Sequence, residues 1–422
     1  MIQKSHFLIN LGIFFLLAAC ASTPAPVQEA KTIASDSRTF GVLDMDALSH
    51  AKERIQEKDP LYLGAFEKLA GEARTALRLV PPSVLDKPFV PPSGNKHDYM
   101  SMGPYWWPNP ETPDGLPYIR KDGVVNPERN QYDKIPGATM AEAVRALALM
   151  YYFTGDTSFS HKASELLKVW FINPETKMNP HLEFGQFIPG RSPGRSVGII
   201  ESRNFVFLTD YEQILRESLN WTEADHNLFK QWMSDFLQWL VTSEIGQKER
   251  AADNNHGSWC DYQVLALSQY CQTPESGQIV VDGLLIQRMA HQIKADGSQP
   301  EELERTKSFS YSVFNLDALS KIHRLTENMA LNQASYETQL DYINRATLFL
   351  IPVVTDTSKW GYNQISSFNG PSEKLIYLLS FTASRTTNSN HIDELGILLN
   401  RFPNSIFVLT TPAVQLTQTL AH

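Results

Sequence analysis

Residues 251–263 read Ala-Ala-Asp-Asn254-Asn255-His256-Gly-Ser-Trp-Cys-Asp-Tyr-Gln and run directly into an apolar, helix-like segment, Val-Leu-Ala-Leu at 264–267. Side-chain amides donate and accept hydrogen bonds, and an imidazole can move a proton near neutral pH. At the mouth of a helix, such groups can hold an anionic substrate group and act on it as acid or base. The alternative interpretation is an Asx-type helix cap beside a packed histidine and tryptophan.

A second polar segment lies downstream, where residues 296–315 read Asp-Gly-Ser-Gln-Pro-Glu-Glu-Leu-Glu-Arg305-Thr-Lys-Ser-Phe-Ser-Tyr311-Ser-Val-Phe-Asn. An arginine beside a tyrosine stabilises the phenolate, so we expect Arg305 to lower the pKa of Tyr311 from its ordinary value of about 10. A tyrosine tuned in this way can take or give a proton. The alternative is an exposed arginine and a tyrosine packed in a helix.

Taken together, the two segments resemble a known family. Asn255-His256 followed by an aromatic residue, and then a Glu-Leu-x-Arg sequence ending at Arg305 with Tyr311 downstream, is similar to the α/α-toroid alginate lyases and related polyuronate lyases. The resemblance covers about residues 99–381. It implies a polysaccharide lyase with four catalytic residues: Asn255, His256, Arg305 and Tyr311. The Arg-to-Tyr spacing departs from that of the alginate lyases, so the resemblance implies the reaction class rather than one polymer.

Apolar residues recur at helical spacing along most of the chain, and the periodic segments end at Pro, Gly or Asn turns. A succession of helical hairpins favours a toroid or an α-solenoid, with an irregular helical bundle as the alternative. The resemblance implies an all-α fold, an incomplete (α/α) toroid with long cleft-lining loops. We predict helices over 45–58, 60–79, 139–153, 159–172, 203–218, 222–243, 255–271, 278–293, 308–326, 335–348 and 371–383.

The first 38 residues have the composition of a targeting and linker region. Residues 1–20 carry a short apolar core that ends in Leu-Ala-Ala-Cys20, which predicts a lipoprotein signal peptide with Cys20 lipidated. The alternative is an ordinary signal peptide cut nearby. Residues 21–38 are rich in Pro, Ala, Ser and Thr, and we expect a disordered tether. The protein would then be periplasmic or on the cell surface, anchored to the membrane of a Gram-negative bacterium, with the outer membrane favoured.

Residues 39–422 are globular in composition and show no linker, which favours one large domain. The whole chain is 42% hydrophobic and carries a formal net charge of −9. This charge argues against nucleic acid as a partner but allows an anionic polysaccharide to bind a local cationic cleft. Cys260 and Cys271, if on one helix, lie about 16 Å apart and cannot pair. No sequence pattern indicates a zinc site.

The segment 93–135 is the least helical part of the chain, and a long loop of this kind is often functional. Its aromatic side chains offer flat faces on which sugar C–H groups can stack, and its cations can meet carboxylates. The alternative is an aromatic plug packed on the end of the fold. The candidate substrate-binding residues here are Lys96, His97, Tyr105, Trp106 and Trp107, with Arg120 and Arg129 as further cations.

Further candidates for substrate contact lie in two later segments and in the first motif. Arg195 and Arg203 have planar guanidinium groups that can bind a carboxylate with two hydrogen bonds. Gln186 and Asn254 supply amides near them. For each single residue, the alternative is a surface or structural ion pair.

The chemistry follows from the acidity of the uronate C5 proton, which increases when the neighbouring carboxylate is neutralised. We assign neutralisation to Asn255, with His256 and Arg305 assisting. If these groups suffice, neither a metal nor another cofactor is required, and calcium is the alternative. Tyr311 is the acid that protonates O4. When the C5 hydrogen and O4 lie on the same side of the ring, Tyr311 can also be the base. For the opposite C5 configuration, His256 is the base.

Two other functions remain alternatives at the level of sequence. A glycoside hydrolase on the same fold needs two placed carboxyl groups. A non-catalytic glycan-binding lipoprotein would keep its function after Tyr311→Phe. Elimination, unlike hydrolysis, yields an unsaturated uronate that absorbs in the near ultraviolet. The carboxyl groups available for hydrolysis are Asp253, Asp261, Glu301, Glu302 and Glu304.

Overall fold

The computed structural model describes residues 40–41, 43–327, 333–386 and 389–412, all of which belong to one compact unit. The expected signal peptide, the tether and Cys20 lie outside the described residues. Among the helices of the described part, none combines the length and the apolar character needed to cross a bilayer.

Helices make up most of the described chain. The strands are few and short: β1 (Met100–Met102), β2 (Trp106–Trp107), β3 (Ile119–Arg120) and β4 (Phe184–Phe187). The α-helices are α1 (Met45–Gln56), α2 (Pro60–Leu77), α3 (Lys134–Thr154), α4 (Thr157–Leu167), α5 (Arg203–Val206), α6 (Leu208–Leu215), α7 (Glu223–Thr242), α8 (Glu244–Arg250), α9 (Asn255–Cys271), α10 (Pro274–Gly283), α11 (Ala290–Gln292), α12 (Pro300–Leu303), α13 (Ser308–Thr326), α14 (Gln333–Leu350), α15 (Pro352–Thr355), α16 (Asn369–Ala383), α17 (Ser389–Arg401) and α18 (Phe407–Thr410).

Local sequence explains where several of these helices begin and end. Helix α2 starts with Pro60 at its first position, and the Asp59 side chain accepts a hydrogen bond from the main chain of its first turn. Helix α7 starts with a reciprocal capping box between Thr222 and Asp225. Helix α3 ends at Thr154, and Gly155 follows with a φ of 71°, the left-handed conformation that glycine adopts without strain.

The helices pack in two layers. In the inner layer, α9 contacts α13, and α13 contacts α16, while α3 packs against α6. In the outer layer, α4 packs on α3, α7 and α10 pack on α9, α14 packs on α13, and α17 packs on α16. Connections between neighbours are short, which makes successive helices antiparallel. The fold is therefore all-α, an incomplete (α/α) toroid, as expected.

Small β pairings hold the long loops over one end of the toroid. Strand β1 pairs in parallel with β4, which joins the segment 93–135 to the segment 178–191. Strands β2 and β3 form an antiparallel hairpin in which Trp106 lies opposite Arg120. These pairings place aromatic and cationic side chains of the loops beside the N-terminal ends of α9 and α13.

The structure matches the helix predictions closely in the two segments that carry the motifs, since α9 and α13 span the predicted 255–271 and 308–326. The predicted helix 203–218 is instead divided at Phe207 into α5 and α6 and ends at Leu215. Helices α8, α12, α15, α17 and α18 were not predicted. Cys260 and Cys271 both lie on α9 as free thiols, in agreement with the prediction that they do not pair.

Candidate active site

A cavity of about 360 Å³ lies where the loops meet the ends of α9 and α13. Five of its lining side chains are lysine or arginine, and among the described residues no aspartate or glutamate lines it. Such a cavity attracts anions, because its cations face the interior without a lining carboxylate to neutralise them. Its polar lining residues are Tyr105, Trp106, Arg120, Lys134, Gln186, Arg195, Arg203, Asn254, Asn255, His256, Arg305 and Tyr311.

Tyr311 and Arg305 meet as the sequence predicts. A guanidinium nitrogen of Arg305 donates to the Tyr311 hydroxyl at 3.1 Å, and the guanidinium carbon lies 4.0 Å from the centre of the phenol ring. A second phenol, that of Tyr105, is 2.9 Å from the same hydroxyl. Because Tyr105 comes from the loop before β2, the loop and the start of α13 build one site together.

Asp122, which sequence reasoning did not select, anchors the arginine. One of its carboxylate oxygens accepts from Arg305 at 3.1 Å and from Arg120 at 2.6 Å, and the other accepts from the Thr306 hydroxyl at 3.0 Å. Burial opposes ionisation of Asp122, but these donors, Arg305 foremost, hold its pKa below the ordinary value. Asp122 therefore fixes the Arg305 side chain beside Tyr311.

The expected lowering of the Tyr311 pKa is wrong for the site without a bound substrate. Arg305 does lower this pKa, but burial raises it more strongly, and Tyr105 adds to the rise. The net result is a pKa raised above the ordinary value of about 10. Tyr311 is thus a neutral phenol at neutral pH, which is the form that can donate a proton.

The start of α9 presents three polar side chains. Asn254 caps the helix by accepting from the main-chain N–H of His256 at 3.0 Å, so the Asx-cap interpretation of the motif is also correct. Nδ1 of His256 lies 2.6 Å from a carboxylate oxygen of the buried Glu249. A carboxylate only accepts, so Nδ1 carries the proton and Nε2 holds the lone pair that a base needs.

Asn255 is fully buried and is held by Glu302. Its main-chain N–H and its side-chain Nδ2 donate to the two carboxylate oxygens of Glu302, each at 2.7 Å. Burial raises the pKa of Glu302 to about 7, against the effect of these donors. Oδ1 of Asn255 has no hydrogen-bond partner among the described residues.

Gln186 and Arg195 form the opposite wall. Gln186 has a φ of 48°, and Arg195 donates to its main-chain oxygen at 2.8 Å and to its side-chain oxygen at 3.0 Å. The Arg195 guanidinium lies 5.7 Å from the Trp106 ring, and burial lowers its pKa to about 10. Arg203, at the start of α5, stacks 5.0 Å from the ring of Phe314.

The structure does not bring three predicted substrate-binding residues to the cavity. Nζ of Lys96 donates to the main-chain oxygen of Leu85 at 3.0 Å, and Nδ1 of His97 lies 2.7 Å from the main-chain oxygen of Lys177. Trp107 lies beside the cavity rather than in its lining, and its indole donates to a main-chain oxygen in the same loop. The β pairings determine which residues of this loop reach the cavity, so Tyr105 and Trp106 line it and these three residues do not. The local sequence does not determine those pairings.

The carboxyl groups proposed for hydrolysis are also placed elsewhere. Asp253, Glu301 and Glu304 are exposed and outside the cavity lining. Asp261 is buried in ion pairs with Arg250 and Arg288. Glu302 is occupied by Asn255, so the described residues supply no pair of carboxyl groups facing a substrate, and the hydrolase alternative is not supported.

Asp122, Lys134 and Glu249 are site residues that sequence reasoning missed. Lys134 lines the cavity and pairs at 2.7 Å with Glu201, which is buried. Asp122 and Lys134 are distant from the motifs along the chain, whereas Glu249 lies only seven residues before His256, and no local pattern marks any of the three. Within the described ranges, no group of three or more His, Cys, Asp or Glu side chains is arranged to hold a metal ion.

Comparison with known proteins gives the class first. The structure matches that of an alginate lyase from Bacteroides ovatus with a TM-score of 0.80 and 34% identity, covering 88% of this chain and 98% of that one. With the toroid and the cationic site, this makes the protein a polysaccharide lyase. More particularly, the chain belongs to the alginate lyase family, whose model matches residues 83–360.

Two more distant structures share the fold. Alginate lyase A1-III from Sphingomonas species A1 matches with a TM-score of 0.50 and 14% identity, covering 84% of this chain and 97% of that one. A variant of alginate lyase A1-III complexed with a tetrasaccharide matches with a TM-score of 0.55 and 14% identity, covering 90% and 100% of the two chains. No curated protein matches this chain.

Proposed function

We propose that the protein cleaves 4-linked polyuronates, alginate first among them and glucuronan as a second candidate, by β-elimination. The observation that carries the proposal is the cavity itself, which surrounds the Tyr311–Arg305 pair with cations and no lining carboxylate. Membership in the alginate lyase family supports alginate as the substrate. The partner is thus an anionic polysaccharide.

In the proposed reaction, the substrate carboxylate lies between Asn255, His256 and Arg305. Hydrogen bonds and positive charge there stabilise the enolate-like intermediate that forms when C5 loses its proton. The C4–C5 double bond then forms as the C4–O4 bond breaks. Tyr311 donates its proton to the departing O4, because its raised pKa keeps it protonated.

The base depends on the configuration at C5. When the C5 hydrogen and O4 lie on opposite sides, Nε2 of His256 takes the proton, and Glu249 orients the imidazole for this role. When they lie on the same side, Tyr311 must first lose its own proton to serve as base. Tyr105 is the hydrogen-bonded neighbour that can relay this proton to water, giving up its own hydroxyl proton as it receives that of Tyr311. The two types of uronate therefore place different demands on one site.

The test is to incubate the protein with alginate, polymannuronate, polyguluronate and glucuronan, and to follow absorbance in the near ultraviolet. We expect absorbance to rise together with new reducing ends on at least one polymer. Reducing ends without absorbance would indicate hydrolysis. Binding without either product would indicate a glycan-binding protein, and both outcomes would overturn the proposal.

We further propose that the protein is a periplasmic or cell-surface lipoprotein of a Gram-negative bacterium, anchored through Cys20. The support is the Leu-Ala-Ala-Cys junction and the polar tether that follows it. Two or more acyl chains give stable anchoring, whereas one gives marginal anchoring. Cys20→Ser should move the protein from the membrane fraction to the soluble fraction. Unchanged fractionation with an unlipidated mature terminus would contradict the anchor.

A further inference from the structure

The contact between Glu302 and Asn255 has features that a purely structural contact does not need. Glu302 is 1% exposed and Asn255 is fully buried. An ionised carboxylate accepts hydrogen bonds and cannot donate them. The Nδ2 end of the amide therefore faces Glu302 at 2.7 Å, and the Oδ1 end faces away without a partner.

This amide orientation does not suit an anionic ligand. Asn255 lines the cavity, and the observed orientation leaves it with an unpartnered carbonyl oxygen, which repels a carboxylate, and commits one of its two amide N–H groups to Glu302. A buried polar atom without a partner also costs free energy, roughly 1–3 kcal/mol. The orientation seen without substrate is thus the less favourable one for the proposed reaction.

Protonation of Glu302 would remove the conflict. A protonated carboxyl group carries one O–H donor, which can donate to Oδ1 of Asn255 while the other oxygen still accepts from the Asn255 main chain. The two ends of a side-chain amide have nearly the same shape, so the amide can turn over without disturbing its packing. Its N–H groups then occupy the place where Oδ1 was.

We propose that Glu302 is a positioning residue operated by a proton: protonated Glu302 turns the Asn255 amide so that its N–H groups face the substrate carboxylate, and ionised Glu302 holds the amide the other way. This inference rests on the proposed polyuronate substrate. It implies that the protein takes up a proton at Glu302 when the polymer binds above neutral pH.

The surroundings of Glu302 agree with this role. The charged and titratable groups near it are Arg305, in the turn after α12, and His256 on α9, and both favour the ionised form. The first turn of α13, which packs against α12, adds the neutral Tyr311. Burial outweighs the cations and brings the pKa to about 7, and a bound carboxylate raises it further. Substrate binding and proton binding at Glu302 therefore favour each other.

The first experiment compares KM from pH 6 to pH 8.5 in the wild type and in Glu302→Gln. The substituted amide can accept from the Asn255 main chain and donate to Oδ1, which locks the binding orientation at every pH. If only the protonated form binds, the wild-type KM should rise about 30-fold by pH 8.5, since the competent fraction falls to about 3%. In Glu302→Gln, most of that rise should disappear. Glu301→Gln, an exposed neighbour on the same short helix, should keep the wild-type slope.

A second experiment measures the proton directly and does not depend on turnover. Calorimetric titration of a polyuronate tetrasaccharide into Tyr311→Phe, at pH 8 in buffers of different ionisation enthalpy, should show uptake of nearly one proton. The double variant with Glu302→Gln should take up less by that amount. If Glu302→Gln fails to fold, the same titration in Tyr311→Phe combined with His256→Ala decides, because an uptake of nearly one proton there cannot come from His256.

These outcomes separate the inference from the proposed function. A wild type that cleaves no polyuronate and binds none overturns the function. If the wild type cleaves a polyuronate but its KM does not change with pH, only the role of Glu302 is overturned. If the polymer binds without proton uptake at pH 8, the same conclusion follows. The same is true if Glu302→Gln folds and keeps the wild-type slope of KM against pH.

Discussion

Two cavities of this protein have the same volume, about 360 Å³, and share Arg203, but they differ in charge. The first cavity lies where the loops meet the ends of α9 and α13 and contains Tyr311 and Arg305; we call it the substrate cavity, after the proposed function. Among the described residues, no carboxylate lines it. The second cavity, here called the inner cavity, is lined by α2, α3, α5, α6, α9, α13, α16 and α18 and has charges of both signs. Its charged lining residues are Lys68, Glu142, Arg145, Arg203, Asp317, Lys321, Glu373 and Lys374.

The difference lies in where the partners of the cations are. In the inner cavity, Lys321 and Lys374 both pair with Asp317, which lines the same space. In the substrate cavity, Arg305 pairs with Asp122, which lies outside the lining. The first arrangement offsets part of the positive charge inside the cavity itself. The second leaves positive potential directed inward, where a polyanion can use it.

The largest expected effect is the loss of activity in Tyr311→Phe. Loss of one proton-transfer group costs about a hundredfold to ten-thousandfold in rate, and the cost is greater on a substrate for which Tyr311 is both acid and base. His256→Ala should cost less than this on polymannuronate and about as much on polyguluronate, where His256 is the base. Initial rates of both variants on both polymers measure this. Near wild-type activity of Tyr311→Phe on every substrate cleaved would contradict the assignment.

The next largest effect is a loss of stability when Asp317, which lines the inner cavity, is replaced. Asp317→Asn leaves Lys321, whose side chain is 7% exposed, and Lys374, whose side chain is 40% exposed, without their carboxylate. Removing one partner of a buried pair costs about 3 kcal/mol in the free energy of unfolding, and the exposure of Lys374 favours this low value. Denaturant unfolding measures the loss. Activity per folded molecule should persist, whereas Tyr311→Phe should lose activity and keep its stability.

Arg305→Ala should lower kcat by about a hundredfold, as loss of one charge-stabilising donor does. Arg305 lowers the pKa of Tyr311, so its removal should move the alkaline limb of the kcat profile to higher pH. Arg305→Lys should recover part of the shift, because it retains the charge without the planar fork. Full activity with an unshifted profile would remove Arg305 from the site.

The sequence predicts the features whose causes are local. The apolar run at 264–267 and the Asn254 cap indicate α9, and a separation of only six positions brings Arg305 to Tyr311. Asp122 is separated from Arg305 by 183 positions along the chain, so only the assembled fold shows their contact. The errors at Lys96 and His97 have the same origin, because a loop's composition does not determine which of its side chains turn inward. Burial, which dominates the pKa of Tyr311, is likewise a property of the whole fold.

The smallest expected effect tests the charge comparison without touching the catalytic groups. The Debye length falls from about 10 Å at 0.1 M salt to about 3 Å at 1 M, so salt weakens the attraction between the substrate cavity and a polyanion. Between about 0.05 M and 0.5 M NaCl, we expect KM to rise roughly threefold to tenfold, with kcat changing less than about twofold.

Arg120→Gln and Lys68→Gln form a matched pair for this test. Arg120 lines the substrate cavity with a side chain 54% exposed, and Lys68 lines the inner cavity with a side chain 42% exposed. Both changes remove one accessible cation, so a general effect of net charge would flatten the salt dependence of KM equally in both variants. If the position of the charge matters, only Arg120→Gln should flatten it. Equal slopes in the two variants would show that the two cavities do not differ in the field that a substrate meets.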